Sequence, residues 1–197
     1  MPDCAKVLVA PTPLDLSLAF PAALRPTVSA LTAGWDSGAH RHYTYTVTLA
    51  GETLTIPSRV YYCQSVLWHI GGERTPLEHD IAWCLGTRHH SGYVREECLR
   101  RMLAAPQSWM APFIVQLIGE YVVEIVDPIA VALPTLAPHM QAALAAFVRD
   151  NPRYLNTIDS RTVSYWMYYQ REYPQRASYP GTVAMAYLRR LAKQAPG

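Results

Sequence analysis

The sequence predicts a mostly α-helical fold (α+β), in which antiparallel helical hairpins surround a buried central helix and an N-terminal β-hairpin precedes them. Three observations lead to this prediction. Apolar residues recur at every second position in "HYTYTVTLAGETLTIPS", as they do in half-buried strands. From Thr75 onward they recur at helical spacing. The stretch "FIVQLIGEYVVEIVD" is apolar on most sides, which is typical of a helix buried on several faces.

The composition indicates a globular chain with an irregular N-terminal segment. Of the 197 residues, 50% are apolar and 16% are charged, which argues against a disordered chain. Residues 1–40 are rich in proline and show no sustained period, so we expect this segment to be irregular. We expect residues 41–197 to form a single helical domain that opens with the β-hairpin at residues 41–60.

The first predicted element of that domain is the β-hairpin. Tyr45, Val47 and Leu49 alternate with polar residues, and "AGE" supplies the turn. Pro57 cannot donate a hydrogen bond to a neighbouring strand, so the second strand should end there or lie at an edge.

A helical hairpin should follow. "TPLE" is a capping box with Thr75 at the N-cap, and it starts the first helix. His89 and His90 should close that helix, because polar donors suit its terminal carbonyls. Gly92 should turn the chain with a positive φ before the second helix.

The central helix is predicted to start near Ser108 or Pro112 and to stop or kink at Pro128. Its polar side chains form one stripe at i, i+4 and i+8, which consists of Gln116, Glu120 and Glu124. Since buried charges are usually paired, we expect the two glutamates to meet arginines. The candidates are Arg88, Arg95 and Arg161.

Three further helices are predicted in the C-terminal part. One starts near Pro138 and stops at "DNP", which also caps the next. The next is a tyrosine-rich helix in residues 153–174, with a break near Asp159 as an alternative. The last follows "YPGT".

Residues 91–122 resemble one unit of the HEAT-type helical repeats. "SGYVREECLRRML" and "APFIVQLIGEYV" are similar to the second helix of one repeat and the first helix of the next. The Val94-Arg95 pair after a glycine turn and the helix-start Pro112 carry the likeness. The resemblance implies stacked helical hairpins, whereas a compact helical domain with a β-hairpin fits the rest of the chain equally well.

The function favoured by the sequence is a non-enzymatic protein interaction, as in an adaptor, regulatory or inhibitory domain. The stretch "YWMYYQREYPQRASYP" is dense in tyrosine, tryptophan and arginine, the residue types that anchor protein interfaces. Core packing of the aromatic residues is the competing interpretation. The predicted binding residues are Trp166, Tyr169, Arg171, Arg176, Arg189 and Arg190.

Two alternatives stay open. A metal-dependent hydrolase could use a histidine-rich site made of His40, His42, His89, His90 and Glu120. No HExxH motif supports this site. A nucleic-acid-binding protein could use basic side chains against phosphates, namely Arg95, Arg100, Arg101, Arg189, Arg190 and Lys193. The net charge of only +2 speaks against nucleic acid.

The remaining expectations concern partners and compartment. We expect a protein partner, with a homo-oligomer as one form of it, and no cofactor. No two of the four cysteines form a CxxC pair, which argues against a zinc-ribbon or thioredoxin-type site. Cys84 and Cys98 fall on predicted apolar helix faces and should be small buried hydrophobic residues, which favours a reducing, cytoplasmic location. The acidic residues inside the longest apolar stretch make a membrane span improbable.

Overall fold

The computed structural model describes residues 14–35, 43–62 and 74–194. This part of the chain is mostly helical and has one two-stranded antiparallel sheet, so the predicted fold class is confirmed. In chain order, its strands and α-helices are α1 (Arg25–Leu31), β1 (Thr44–Leu49), β2 (Glu52–Pro57), α2 (Pro76–Gly86), α3 (Gly92–Ala104), α4 (Ala111–Ile118), α5 (Val123–Ala132), α6 (Pro138–Asp150), α7 (Pro152–Trp166) and α8 (Pro180–Gln194).

The β-hairpin forms where the alternation predicts it. Val47 pairs with Leu54, and both side chains are buried. The two-residue turn has φ of 49° at Ala50 and 82° at Gly51, and positive φ at both positions matches the twist of the flanking strands. Pro57 is the last residue of β2, as predicted.

The N-terminal segment is more regular than expected. Residues 16–31, predicted to be irregular, contain two 3₁₀ turns (Leu16–Ala19 and Ala22–Leu24) and α1. The prolines do not break these elements because they lie at their starts, where no backbone donor is lost. Pro26, for example, occupies the first turn of α1. Residues 1–13 and 36–40 of the predicted segment lie outside the described residues.

The helical hairpin of α2 and α3 has the predicted start. The Thr75 hydroxyl accepts a hydrogen bond from the amide of Glu78, and the Glu78 carboxylate accepts one from the Thr75 amide. Gly92, in contrast, has no positive φ and is the first residue of α3. The turn is instead made by residues 87–91, and His89 forms an isolated bridge with Val60.

The predicted central helix is two helices, which is a correction. Every residue of α4 is buried, but the helix ends at Ile118 and α5 begins at Val123. A Cβ at Gly119 would lie 3.2 Å from Ile158 Cδ1, so the chain passes close to α7 at the break. Gln116, Glu120 and Glu124 therefore do not share one helix face. Pro128 lies inside α5 and does not end it.

The C-terminal helices follow the predicted order with different bounds. α6 ends at Asp150 and α7 begins at Pro152, as "DNP" predicts, but the Asn151 side chain makes no capping hydrogen bond to α7. α7 continues through Asp159 and ends at Trp166, short of the predicted residue 174. A 3₁₀ turn at Arg176–Ser178 precedes α8.

One continuous apolar core joins these elements. It includes Phe20 from the N-terminal segment, Leu54 from the hairpin, Phe113 from α4 and Leu144 from α6. Among the described residues, none of the individual helices has both the length and the apolar character needed to cross a membrane. One pair, Val123–Thr135 and Pro138–Asp150, meets those criteria together but is bent by 115°.

Candidate functional site

A cluster of tyrosines lies where the α4–α5 loop meets the end of α7. The ring centroid of Tyr121 lies 5.6 Å from that of Tyr165, 5.5 Å from that of Tyr168 and 5.8 Å from that of Tyr169. The Tyr169 hydroxyl donates to the backbone carbonyl of Tyr121 over 3.0 Å. These contacts hold the rings against one another. We call Tyr93, Tyr121, Tyr165, Tyr168 and Tyr169 the tyrosine face.

The tyrosine face is open to solvent. Tyr93 is 86% exposed, Tyr168 72% and Tyr121 49%, and the neighbouring Met167 is 63% exposed. A groove of about 350 Å³ runs beside Tyr93 and is bounded on the other side by Val122. Exposed aromatic and apolar side chains on adjoining elements are typical of a binding surface.

Carboxylates rim this surface. Glu124, Asp127 and Glu172 are exposed, and none forms an ion pair with another described residue. Burial is the main cause that raises the pKa of Tyr173, and the nearby Asp127, Glu172 and Glu124 raise it further. Burial also raises the pKa of Tyr169. The tyrosine face is thus bordered by negative charge.

Only part of the predicted binding set lies on this face. Tyr169 belongs to it, and the half-buried Trp166 supports it because its indole N–H donates to the carbonyl of Tyr173 over 2.9 Å. Arg171 is exposed in the turn that follows α7.

The other predicted arginines lie elsewhere. Arg176 and Arg189 line a separate pocket of about 100 Å³, and Arg189 pairs with Asp159 at 2.8 Å. The guanidinium of Arg190 lies 5.4 Å from the ring centroid of Tyr187. Tyr93 and Tyr121 were missed, because each is a single tyrosine far along the chain from residues 165–180.

The histidines do not assemble into the alternative metal site within the described residues. His40 and His42 lie outside the described ranges. His89 is buried, with Nε2 3.0 Å from the carbonyl of Tyr62 and Nδ1 accepting from the amide of Ser91 over 3.0 Å. Both ring nitrogens are therefore engaged. The His90 ring stacks on Tyr61 with centroids 5.4 Å apart.

Among residues 14–35, 43–62 and 74–194, no group of three or more histidine, cysteine, aspartate and glutamate side chains could hold a metal ion.

Glu120 instead belongs to an arginine cluster, which we define as the half-buried Arg59 and the buried Arg88, Arg95 and Glu120. Its Oε2 lies 2.6 Å from Arg59 Nη2 and 3.5 Å from Arg95 Nη2. Arg95 Nη1 also donates to the carbonyls of His89 and His90, over 2.9 and 2.8 Å. These contacts fix the α2–α3 joint on the end of α4.

The expected pairing of the two glutamates holds for one of them. Glu120 does meet Arg95, whereas Arg88 and Arg161 form no ion pair with it, and Arg59 was not predicted. Glu124 is exposed rather than buried and paired, because it lies on α5, after the break.

The arginines of the nucleic-acid alternative are mostly engaged by acids. Arg100 pairs with Glu96 at 2.5 Å and Arg101 with Glu97 at 2.8 Å. Arg95 is buried. These side chains do not form a continuous stripe of free cations.

Comparison with known proteins found no matching family model, no match among curated proteins and no match among solved structures. The likeness of residues 91–122 to a HEAT-type unit stays a prediction.

Proposed function

We propose that this chain is a protein-interaction module that uses the tyrosine face to bind an arginine- or lysine-bearing segment of a partner protein. The observation that carries the proposal is the exposure of Tyr93, Tyr121 and Tyr168 beside a groove. Tyrosine is among the residue types that supply most of the binding energy at protein interfaces.

The order within the tyrosine face supports this role. Immobilising side chains opposes association, so a surface that is already ordered loses less entropy on binding. The Tyr169 hydrogen bond to Tyr121 and the ring contacts around Tyr121 provide that order. Tyr168 and Met167 stay exposed and can contact a partner.

The carboxylates that border the tyrosine face favour a positively charged partner. Glu124, Asp127 and Glu172 attract cations, and tyrosine rings bind guanidinium and ammonium groups over their faces. A basic segment can satisfy both at once. As part of the same proposal, we place the protein in the cytoplasm, where buried free thiols such as Cys84 and Cys98 persist.

Selection from a random peptide display library on the immobilised protein tests the proposal. We expect enriched peptides to carry arginine or lysine next to apolar residues. Tyr168→Ala and Glu124→Lys should each weaken binding of a selected peptide at least tenfold, in the range of interface hot spots. Tyr43→Ala is the matched control, because Tyr43 is 71% exposed but lies just before β1.

Two results would contradict the proposal. One is a library that enriches no basic sequence. The other is a selected peptide whose affinity falls as much with Tyr43→Ala as with Tyr168→Ala.

A further inference from the structure

Arg88 is the most unusual buried residue of the described chain. It follows the end of α2, and its backbone carbonyl accepts from the amide of Val60 over 2.8 Å. The residue is 0% exposed. Its Nε donates to the Thr87 hydroxyl over 3.3 Å, but Nη1 and Nη2 have no hydrogen-bond partner among residues 14–35, 43–62 and 74–194. Four of the five N–H groups of the guanidinium are thus unpartnered.

Such an arrangement is costly unless an anion offsets it. Arginine stays protonated in proteins, so its charge is buried as well as its donors. Buried charges are normally paired, because an unpaired ion inside a protein loses its hydration without compensation. The one described carboxylate within electrostatic reach, Glu120, is bound by Arg59 and Arg95.

Two buried phenol groups interact electrostatically with the guanidinium of Arg88. The rings of Tyr45 on β1 and Tyr154 on α7 stack with centroids 4.9 Å apart and planes inclined by 10°. Both hydroxyl oxygens are buried, and they interact with each other. Neither forms a hydrogen bond of good geometry with another described residue. Burial raises the pKa of Tyr45 to about 12, so this hydroxyl keeps its proton and is able to donate.

The charges of the arginine cluster favour an anion. Arg59 and Arg95 contact the carboxylate of Glu120, and Arg88 interacts with it only through space, so three cations share one described anion, with an excess of two positive charges. Arg161 adds a further cation near the two tyrosines. The unpartnered donors and the excess positive charge therefore occur together.

We propose that the interior between β1, the α2–α3 joint and α7 binds a small oxyanion, held by Nη1 and Nη2 of Arg88 with the Tyr45 and Tyr154 hydroxyls as further donors. The guanidinium fork matches two oxygens of a carboxylate or phosphate. The two hydroxyls then bind the oxygens that the fork leaves unpaired. This site is separate from the tyrosine face, and it would join the hairpin to the helices through the ligand.

The first test is direct. The purified full chain is desalted and unfolded in acid, and the released anions are measured by ion chromatography. A carboxylate or phosphate released in a one-to-one ratio supports the proposal. In parallel, the melting temperature is measured in sodium phosphate, sodium acetate and sodium chloride at matched ionic strength. Specific binding predicts a saturable rise in phosphate or acetate that chloride does not reproduce.

Substitutions show which residues are responsible for the anion-dependent rise in melting temperature. Tyr45→Phe and Tyr154→Phe keep the rings and should weaken the apparent affinity for the effective anion several-fold. Arg88→Met should abolish the response, whereas Arg100→Gln, on the surface of α3, should retain it. If Arg88→Met fails to fold, the two phenylalanine variants still decide the question.

The proposal is overturned if the purified protein releases no anion and the three salts shift the melting temperature equally. It is also overturned if both phenylalanine variants respond as the wild type does. Phosphate acting alone would identify a tetrahedral ligand, and acetate acting alone a carboxylate, and either supports the proposal.

Discussion

Glu120 illustrates, at the scale of single residues, how a buried acid is compensated. It is 5% exposed and lies between Arg59, which follows β2, and Arg95 of α3. Removing one partner of a buried ion pair leaves the other charge without compensation, and this costs more than the pair itself contributes.

We therefore expect Glu120→Gln to lower the free energy of unfolding by about 3 kcal/mol, measured by urea denaturation with tryptophan fluorescence. Glu97→Gln is the control, because Glu97 pairs with Arg101 on the surface of α3. Glu97→Gln should lower the free energy of unfolding by less than about 0.5 kcal/mol, as is usual for exposed i,i+4 pairs. Equal losses for the two variants would show that Glu120 is not an essential counter-ion.

His89 should make stability depend on pH. Burial lowers the pKa of His89, and the neighbouring His90 and Arg95 lower it further against an opposing contribution of the hydrogen bond with the Tyr62 carbonyl. The unfolded chain therefore binds a proton before the folded one does. Stability is complete above the ordinary histidine pKa of about 6.5 and decreases as pH falls from there to the lower folded-state pKa.

Proton NMR of the His89 ring across pH 7.5 to 5 measures this directly, and urea unfolding of wild type and His89→Gln at the same values measures its effect. The stability advantage of the wild type should shrink toward the acidic end. A folded-state midpoint at or above 6.5 would contradict the expectation.

At the scale of elements, the segments between helices contain the residues that make many of the long-range polar contacts. Arg88 and His89 lie between α2 and α3, Glu120 and Tyr121 lie between α4 and α5, and Asn151 lies between α6 and α7. Backbone groups at such ends lack helical partners, so side chains supply them. The same segments bring distant parts of the chain together.

Asn151 docks the β-hairpin onto the helices. Its Oδ1 accepts from the Thr48 amide over 2.7 Å, and its Nδ2 donates to the carbonyls of Thr48 and Phe147, over 2.7 and 2.8 Å. Asn151→Ala should cost about 2 kcal/mol, because it leaves partly buried backbone groups unpaired. It should also accelerate hydrogen exchange of the Thr48 amide.

Asn156→Ala is the control for this prediction. Asn156 is exposed on α7, and such surface changes usually stay within about 0.5 kcal/mol. An unchanged exchange rate at Thr48 in Asn151→Ala would refute the docking role.

Glycine at position 181 permits close packing of α8 on α7. A Cβ there would lie 2.8 Å from Tyr179 Cε1 and 3.0 Å from Thr162 Cγ2. Gly181→Ala should therefore destabilise by about 1–3 kcal/mol through overpacking. Gly92→Ala is the matched change, since its Cβ would meet nothing nearer than 3.8 Å. Differential scanning calorimetry should show a lower melting temperature only for the first variant, and equal shifts would contradict the packing argument.

At the scale of the whole molecule, the described elements share one core. The 3₁₀ turn Leu16–Ala19 packs on β2, and α6 packs on both β1 and α8. Because no element has a separate core, we expect a single cooperative unfolding transition. Tryptophan fluorescence and far-UV circular dichroism should give coincident urea curves. Two separated transitions would show that the hairpin and the helices unfold independently.

The sequence alone determined the features that depend on near neighbours. The capping box at Thr75, the proline start at Pro152 and the turn at Ala50-Gly51 act within a few residues, so their strands and helices were predictable. The helix break at Gly119 was not, because the close approach of Gly119 to Ile158 at that point is a contact with a distant helix that no local pattern indicates.

Only the tertiary structure decided which polar groups meet. Arg59 and Glu120 are 61 residues apart in sequence, and no periodicity relates them. The same holds for the contact of Tyr121 with Tyr168 and for the lack of an ion pair between Arg88 and a described acid. Burial increases the contribution of these contacts to stability, because electrostatic interactions and hydrogen bonds are strongest where water is excluded.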